Sequence, residues 1–125
     1  MNEETFLDAS ENGDIDTVKR MIEEGIDVNT SDEHDRTVLM KAAKHNHLDI
    51  VKYLIDHGAD VNSRDNRGTS ALYWASNNGN YEIAQLLIRH HGDVDVIDDR
   101  GWSAKDQASS HRHDDVLHLL EEAGA

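Results

Sequence analysis

Apolar residues recur along the chain at helical rather than alternating spacing: Leu48, Val51, Tyr53, Leu54 and Ile55 in one stretch, Tyr81, Ile83, Leu86, Leu87 and Ile88 in another. Residues three and four apart share one face of a helix, so each stretch predicts a short amphipathic helix set against a core. The stretches repeat. Gly58-Ala59-Asp60-Val61-Asn62-Ser63 echoes Gly25-Ile26-Asp27-Val28-Asn29-Thr30, and Asp93-Val94 echoes both, each 33 residues after the last. The same step aligns Asp32, Asp65 and Asp98, then Ala9, Ala42, Ala75 and Ala108, then Met21, Leu54, Leu87 and Leu120, with no insertion. An unbroken period of this length predicts stacked units, each burying its apolar side against its neighbours.

Capping residues divide each unit into two helices. The first opens at a hydroxyl N-cap, Thr37, Ser70 or Ser103, which accepts a backbone N–H that the helix leaves unpaired, and it ends near Asn46 or Gly79. The second carries an acid in its first turn, Asp16, Asp49, Glu82 or Asp115, the charge that suits a helix N-terminus. Gly25 and Gly58 then supply left-handed C-cap geometry. In the third unit His91 occupies that step and Gly92 falls one place late.

These residues resemble the ankyrin repeat, a 33-residue unit of a β-turn and two antiparallel helices with a Thr-Pro-Leu-His-x-Ala signature. The second unit reads Thr37-Val38-Leu39-Met40-Lys41-Ala42-Ala43 and the third Ser70-Ala71-Leu72-Tyr73-Trp74-Ala75-Ser76. Both keep the hydroxyl, the Leu and the Ala. Both lack the family's Pro, replaced by Val38 and Ala71, and its His, replaced by Met40 and Tyr73. Losing a rigid helix start and a hydrogen-bonding imidazole lowers the expected stability. The resemblance implies an all-α solenoid of stacked helix-turn-helix units joined by β-turn fingers. As one domain over 1–125, it divides into units 1–31, 32–64, 65–97 and 98–125. Lys105 in the Phe6, Leu39, Leu72 column and Glu121 in the Ile22, Ile55, Ile88 column read as a polar cap, as does Arg20 at the other end. A complete array of cap, two full repeats and cap is the expectation.

In a solenoid each column becomes a row across the surface. Asp8, Lys41, Trp74 and Gln107 form one row and Glu3, Arg36, Thr69 and Trp102 another. Because most members of each row are polar, both Trp are expected to be exposed, and Trp is the residue type most enriched at interface hot spots. Charge sharpens the picture. The net charge is −14, with nine acids against two bases in 1–31 and seven against three in 98–125. The middle units carry ten against seven, and bases gather on their turn and first-helix rows: Arg36, Lys41, Lys44, Arg64 and Arg67, continued by Arg100, His34 and His45. The resemblance makes those rows the concave groove that grips protein partners. The expected contacts are Arg36, Lys41, Lys44, His45, Arg67, Trp74, Asn77, Asn78, Arg100 and Trp102.

The chain is therefore expected to bind another protein, as an adaptor or a stoichiometric inhibitor, through a partner patch that is acidic or apolar. An alternative uses the acidic ends to occupy a basic site on an enzyme or toxin, as immunity-type inhibitors do. The total charge argues against nucleic acid or an anionic membrane as partner, because both are polyanions. With no Cys, a disulfide framework, a thiol nucleophile and Cys-ligated metals are excluded. No apolar run approaches the roughly 20 residues that span a bilayer, and the N-terminus lacks a basic and apolar leader, so a soluble, cytoplasmic protein is expected; separately, a monomer is the expected state.

Nine His invite a metal-dependent enzyme as the rival from another class. His45 and His47 lie two repeat steps from His111 and His113, about 20 Å at ordinary helix spacing, whereas zinc needs its nitrogens within about 2.1 Å of one point. They cannot share an ion. Ser110, His111 and Asp114 crowd one short turn, where they cannot align as nucleophile, base and orienter. His57 and His90 fall at second-helix C-termini, where the dipole favours imidazolium. No enzymatic activity, cofactor or metal is expected.

Overall fold

The computed structural model describes residues 2–125. Eight helices follow in antiparallel pairs: α1 (Glu3–Asn12) with α2 (Ile15–Glu23), α3 (Val38–Lys44) with α4 (Leu48–Asp56), α5 (Ala71–Asn78) with α6 (Tyr81–Arg89), and α7 (Ala104–Ser110) with α8 (Asp114–Glu122). Helices of seven to ten residues are marginal alone, so stacking must stabilise them. It does so through one continuous core. Phe6, Leu39 and Leu72 from the first helices meet Val18, Ile50, Leu54, Ile83, Leu87 and Leu120 from the second. Ala42, Ala75 and Ala108 are wholly buried, and the first helices of successive units lie closely against one another across this small-residue column.

Every expected hydroxyl cap is made: Thr37, Ser70 and Ser103 accept the N–H of Met40, Tyr73 and Asp106. The missing imidazole is partly replaced. Met40 Sδ accepts the Thr37 N–H at 3.5 Å, and the Tyr73 hydroxyl donates to Asp98.

Three ladders tie the units together. At the fingers, the Asn66 N–H donates to the His34 carbonyl and the Asp99 N–H to that of Arg67. At the opposite turns, Asn29 Oδ1 accepts the Asp60 N–H and Asn62 Oδ1 that of Asp93, which gives the repeated Asp-Val-Asn a structural purpose. Between them, His47, Asn80 and His113 donate to the carbonyls of Glu11, Ala43 and Asn77, so each satisfies the C-terminal end of the preceding unit's first helix. The left-handed residues facing these side chains match their size. A Cβ on Gly13 or Gly79 would stand 2.8 Å from the His47 ring or 2.5 Å from the His113 ring. Opposite the smaller Asn80, the left-handed position is Asn46.

At the acidic C-terminal unit, the two cap substitutions meet, with Lys105 Nζ 3.8 Å from Glu121. The third unit's helix ends as its siblings do: His91 has φ 68°, matching the left-handed Gly25, Gly58 and Gly124. A side chain there costs about 1 kcal/mol that glycine avoids. His91→Gly should therefore raise the melting temperature by a few degrees, read by circular dichroism; a fall would refute the strain. Gly92 has its own constraint, since a Cβ would approach the Leu87 carbonyl to 2.8 Å.

Candidate partner-binding groove

Each finger is organised by the aspartate at its base. Asp32 Oδ1 accepts the N–H of His34 and Arg36, Asp65 Oδ1 those of Arg67 and Thr69, and Asp98 Oδ1 those of Arg100 and Trp102, all at 2.9–3.0 Å. The second oxygen takes a different partner in each unit. Asp32 Oδ2 holds Arg36 Nε at 2.8 Å and Lys41 Nζ at 3.2 Å. Asp65 Oδ2 accepts the Thr69 hydroxyl at 2.7 Å. Asp98 Oδ2 accepts the Tyr73 hydroxyl at 2.6 Å and Arg100 Nη2 at 3.0 Å, and Gln107 Nε2 donates to that same hydroxyl.

Burial alone would push the Asp32 and Asp98 carboxyls up, but their hydrogen bonds win. The Tyr73 hydroxyl, the Trp102 N–H and Arg100 hold Asp98 well below the usual carboxylate range, and backbone N–H groups with Arg36 and Lys41 do the same for Asp32. Tyr73 is pushed up to about 12 by burial first and by the Asp98 carboxylate second.

Between the second and third units lies a cavity of about 400 Å³. It brings together six of the expected contacts: Arg36, Lys41, Lys44, His45, Arg67 and Trp74. Glu11, His34, Met40, Asp65 and Asn66 complete the lining. Glu11 comes from the neighbouring first unit and stands 3.7 Å from Lys41 Nζ and 3.8 Å from His45 Nε2, a meeting that no spacing within the repeat foretells.

Trp74 departs from its expected exposure. Its ring is half-buried, with Nε1 donating to Thr69 Oγ1 at 2.9 Å, the Tyr73 edge against it and Lys44 Nζ 4.5 Å from its centroid. The polar row was a poor guide because polar members of it are themselves covered. The Lys41 side chain is tucked between Glu11 and Asp32, and Gln107 is buried on Tyr73. Trp102 is exposed, at 46%.

The remaining expected contacts lie outside the cavity. Arg100 and Trp102 sit on the next finger, where Arg100 pairs with Asp98. Asn78 donates to the Lys44 carbonyl at 2.8 Å and so joins two units, whereas the Asn77 side chain donates to Asn78 within its own helix and only its backbone carbonyl, bonded to His113, joins units. Of the paired imidazoles, His47 and His113 join units in the ladder, while His111 bonds the Gln107 carbonyl of its own unit, as His57 does that of Tyr53. Among the described residues no three His, Asp or Glu side chains converge as metal ligands, and no helix is long and apolar enough to cross a membrane.

The fold, the finger geometry and the inter-unit ladders define a class, and comparison with known families agrees. The family model described as ankyrin repeats (3 copies) matches residues 6–98 and 62–125, nearly the whole chain, and the protein belongs to the ankyrin-repeat family. Ankyrin repeats are generally protein–protein interaction modules. No curated protein sequence matches the chain.

Proposed function

We propose that this protein is a non-enzymatic binding module that holds a partner protein in the groove formed by its fingers and first helices, as an adaptor or a stoichiometric inhibitor. The cavity between the second and third units carries this reading. It gathers aromatic, cationic and hydrogen-bonding side chains on a rigid frame, and a rigid frame lowers the entropic cost of binding. Trp102 on the adjacent finger adds an exposed apolar anchor of the kind that dominates interface energetics.

The test is a comparative pull-down from source lysate with three baits: the wild type, a groove variant (Lys44→Ala, Arg67→Ala, Trp102→Ala) and an acid-neutralised variant (Glu3, Glu4, Glu23 and Glu24 to Gln). Arg36 is left intact because Asp32 holds it and its reversal would set two acids together. A partner retained by the wild type and the acid-neutralised bait but lost from the groove variant is the expected result, with circular dichroism unchanged. The reverse pattern would discard the groove and promote occupation of a basic enzyme site by the acidic ends.

A further inference from the structure

Charge in the cavity is not distributed as its residue types suggest. Arg36 and Lys41 are committed to Asp32, and Lys41 and His45 also face Glu11. Asp65 has both oxygens taken by Thr69 and backbone N–H groups. Among the described residues, Lys44 and Arg67 alone of the cavity's cations make no ion pair with a carboxylate. They share the cavity with the half-buried Trp74, over whose ring the Lys44 ammonium is already held. A cation held on an aromatic face has one side left open to an anion. Arg67 offers the planar fork that matches a carboxylate through two parallel hydrogen bonds.

One repeat step further on, the last finger exposes Trp102 at 46% and Ile97 at 50%. A step between stacked helices is about 8–10 Å, which an extended chain covers in about three residues at roughly 3.3 Å each.

We infer that the groove takes an extended acidic peptide segment, one carboxylate side chain seated between Lys44 and Arg67 against Trp74 and an apolar residue about three positions away on the last finger. This deepens the proposed function and rests on it. A chain of net charge −14 tolerates such a partner because the acids of its end units are screened beyond roughly 8 Å at physiological salt, while the two cations act at contact.

The probe is a blocked hexapeptide, EEGGLF, titrated into the wild-type protein while the two Trp indole N–H signals are followed by NMR. Controls are KKGGLF and the same peptide with phosphoserine in place of both Glu. The expected result is a saturable shift of the Trp74 and Trp102 signals with EEGGLF, weakened about tenfold or more in Lys44→Ala/Arg67→Ala and weakened again by raised salt, with KKGGLF silent. No saturable shift, an unchanged affinity in the double variant, or a preference for KKGGLF would overturn the proposal. So would phosphoserine binding more than about tenfold tighter than Glu, since the site would then be one for phosphoryl groups. If these peptides fail while the pull-down still depends on the groove, the carboxylate assignment falls and the binding module stands. A pull-down indifferent to the groove removes the module itself.

Discussion

Asp98→Ala should cost about 3 kcal/mol of folding stability, because each buried polar group left without its partner costs about 1–3 kcal/mol. The carboxylate side chain is only 2% exposed and receives the Tyr73 hydroxyl, two finger N–H groups and Arg100. Its removal leaves a buried hydroxyl and two backbone donors without an acceptor while Arg100, largely solvated, loses little. The pH dependence gives an independent check. A carboxylate whose pKa is depressed by folding contributes stability above its unfolded value, near 3.9, and that contribution is lost as pH falls through the folded value. The gap between wild type and Asp98→Ala, read by urea denaturation, should therefore be full at pH 7 and narrow below about pH 4. Tyr73 acts at the other extreme. Its folded pKa, about 12, lies above its unfolded value near 10, so its contribution is complete below pH 10 and lost as pH rises towards 12. A gap that is equal at pH 3 and pH 7 would show that Asp98 is not held as a charged acceptor.

Ala75→Leu should destabilise the protein by about 3 kcal/mol or more, because overpacking a tight core contact usually costs about 1–3 kcal/mol and here the intruding side chain also parts two units. Ala75 is fully buried in α5, between α3 and α7, and its carbonyl already accepts the Asn80 N–H that closes the helix pair. In a stacked array each unit contacts only its neighbours, so damage at one interface is not shared among distant contacts. Gln85→Ala, at a half-buried position of α6 outside the core, should change stability by less than about 1 kcal/mol. Coincident thermal melts of the two variants would show that the Ala column is not close-packed.

Period and capping made most of this architecture readable from the chain alone. Thr37, Ser70 and Ser103 cap helices where their spacing said they should, and His91 proved left-handed because it stands in a column of glycines. Such features depend on residues within one turn of each other, or on a step that repeats, and both are written directly in the order of residues.

The groove was readable only as a set of rows. Reading exposure from residue type failed at Lys41, Trp74 and Gln107, because a polar side chain that finds its partner inside the protein can be covered as well as an apolar one. Glu11 facing Lys41 and His45, Tyr73 reaching Asp98, and His47 crossing to the Glu11 carbonyl are contacts made by side chains across different units. The sequence alone settled the repeat, its two helices, its caps and the uneven placement of charge, since each follows from local conformational preference and period. Which cations of the cavity are left without an ion pair emerged only when the units stacked, because pairing between them depends on distances of a few ångströms that residue order does not contain.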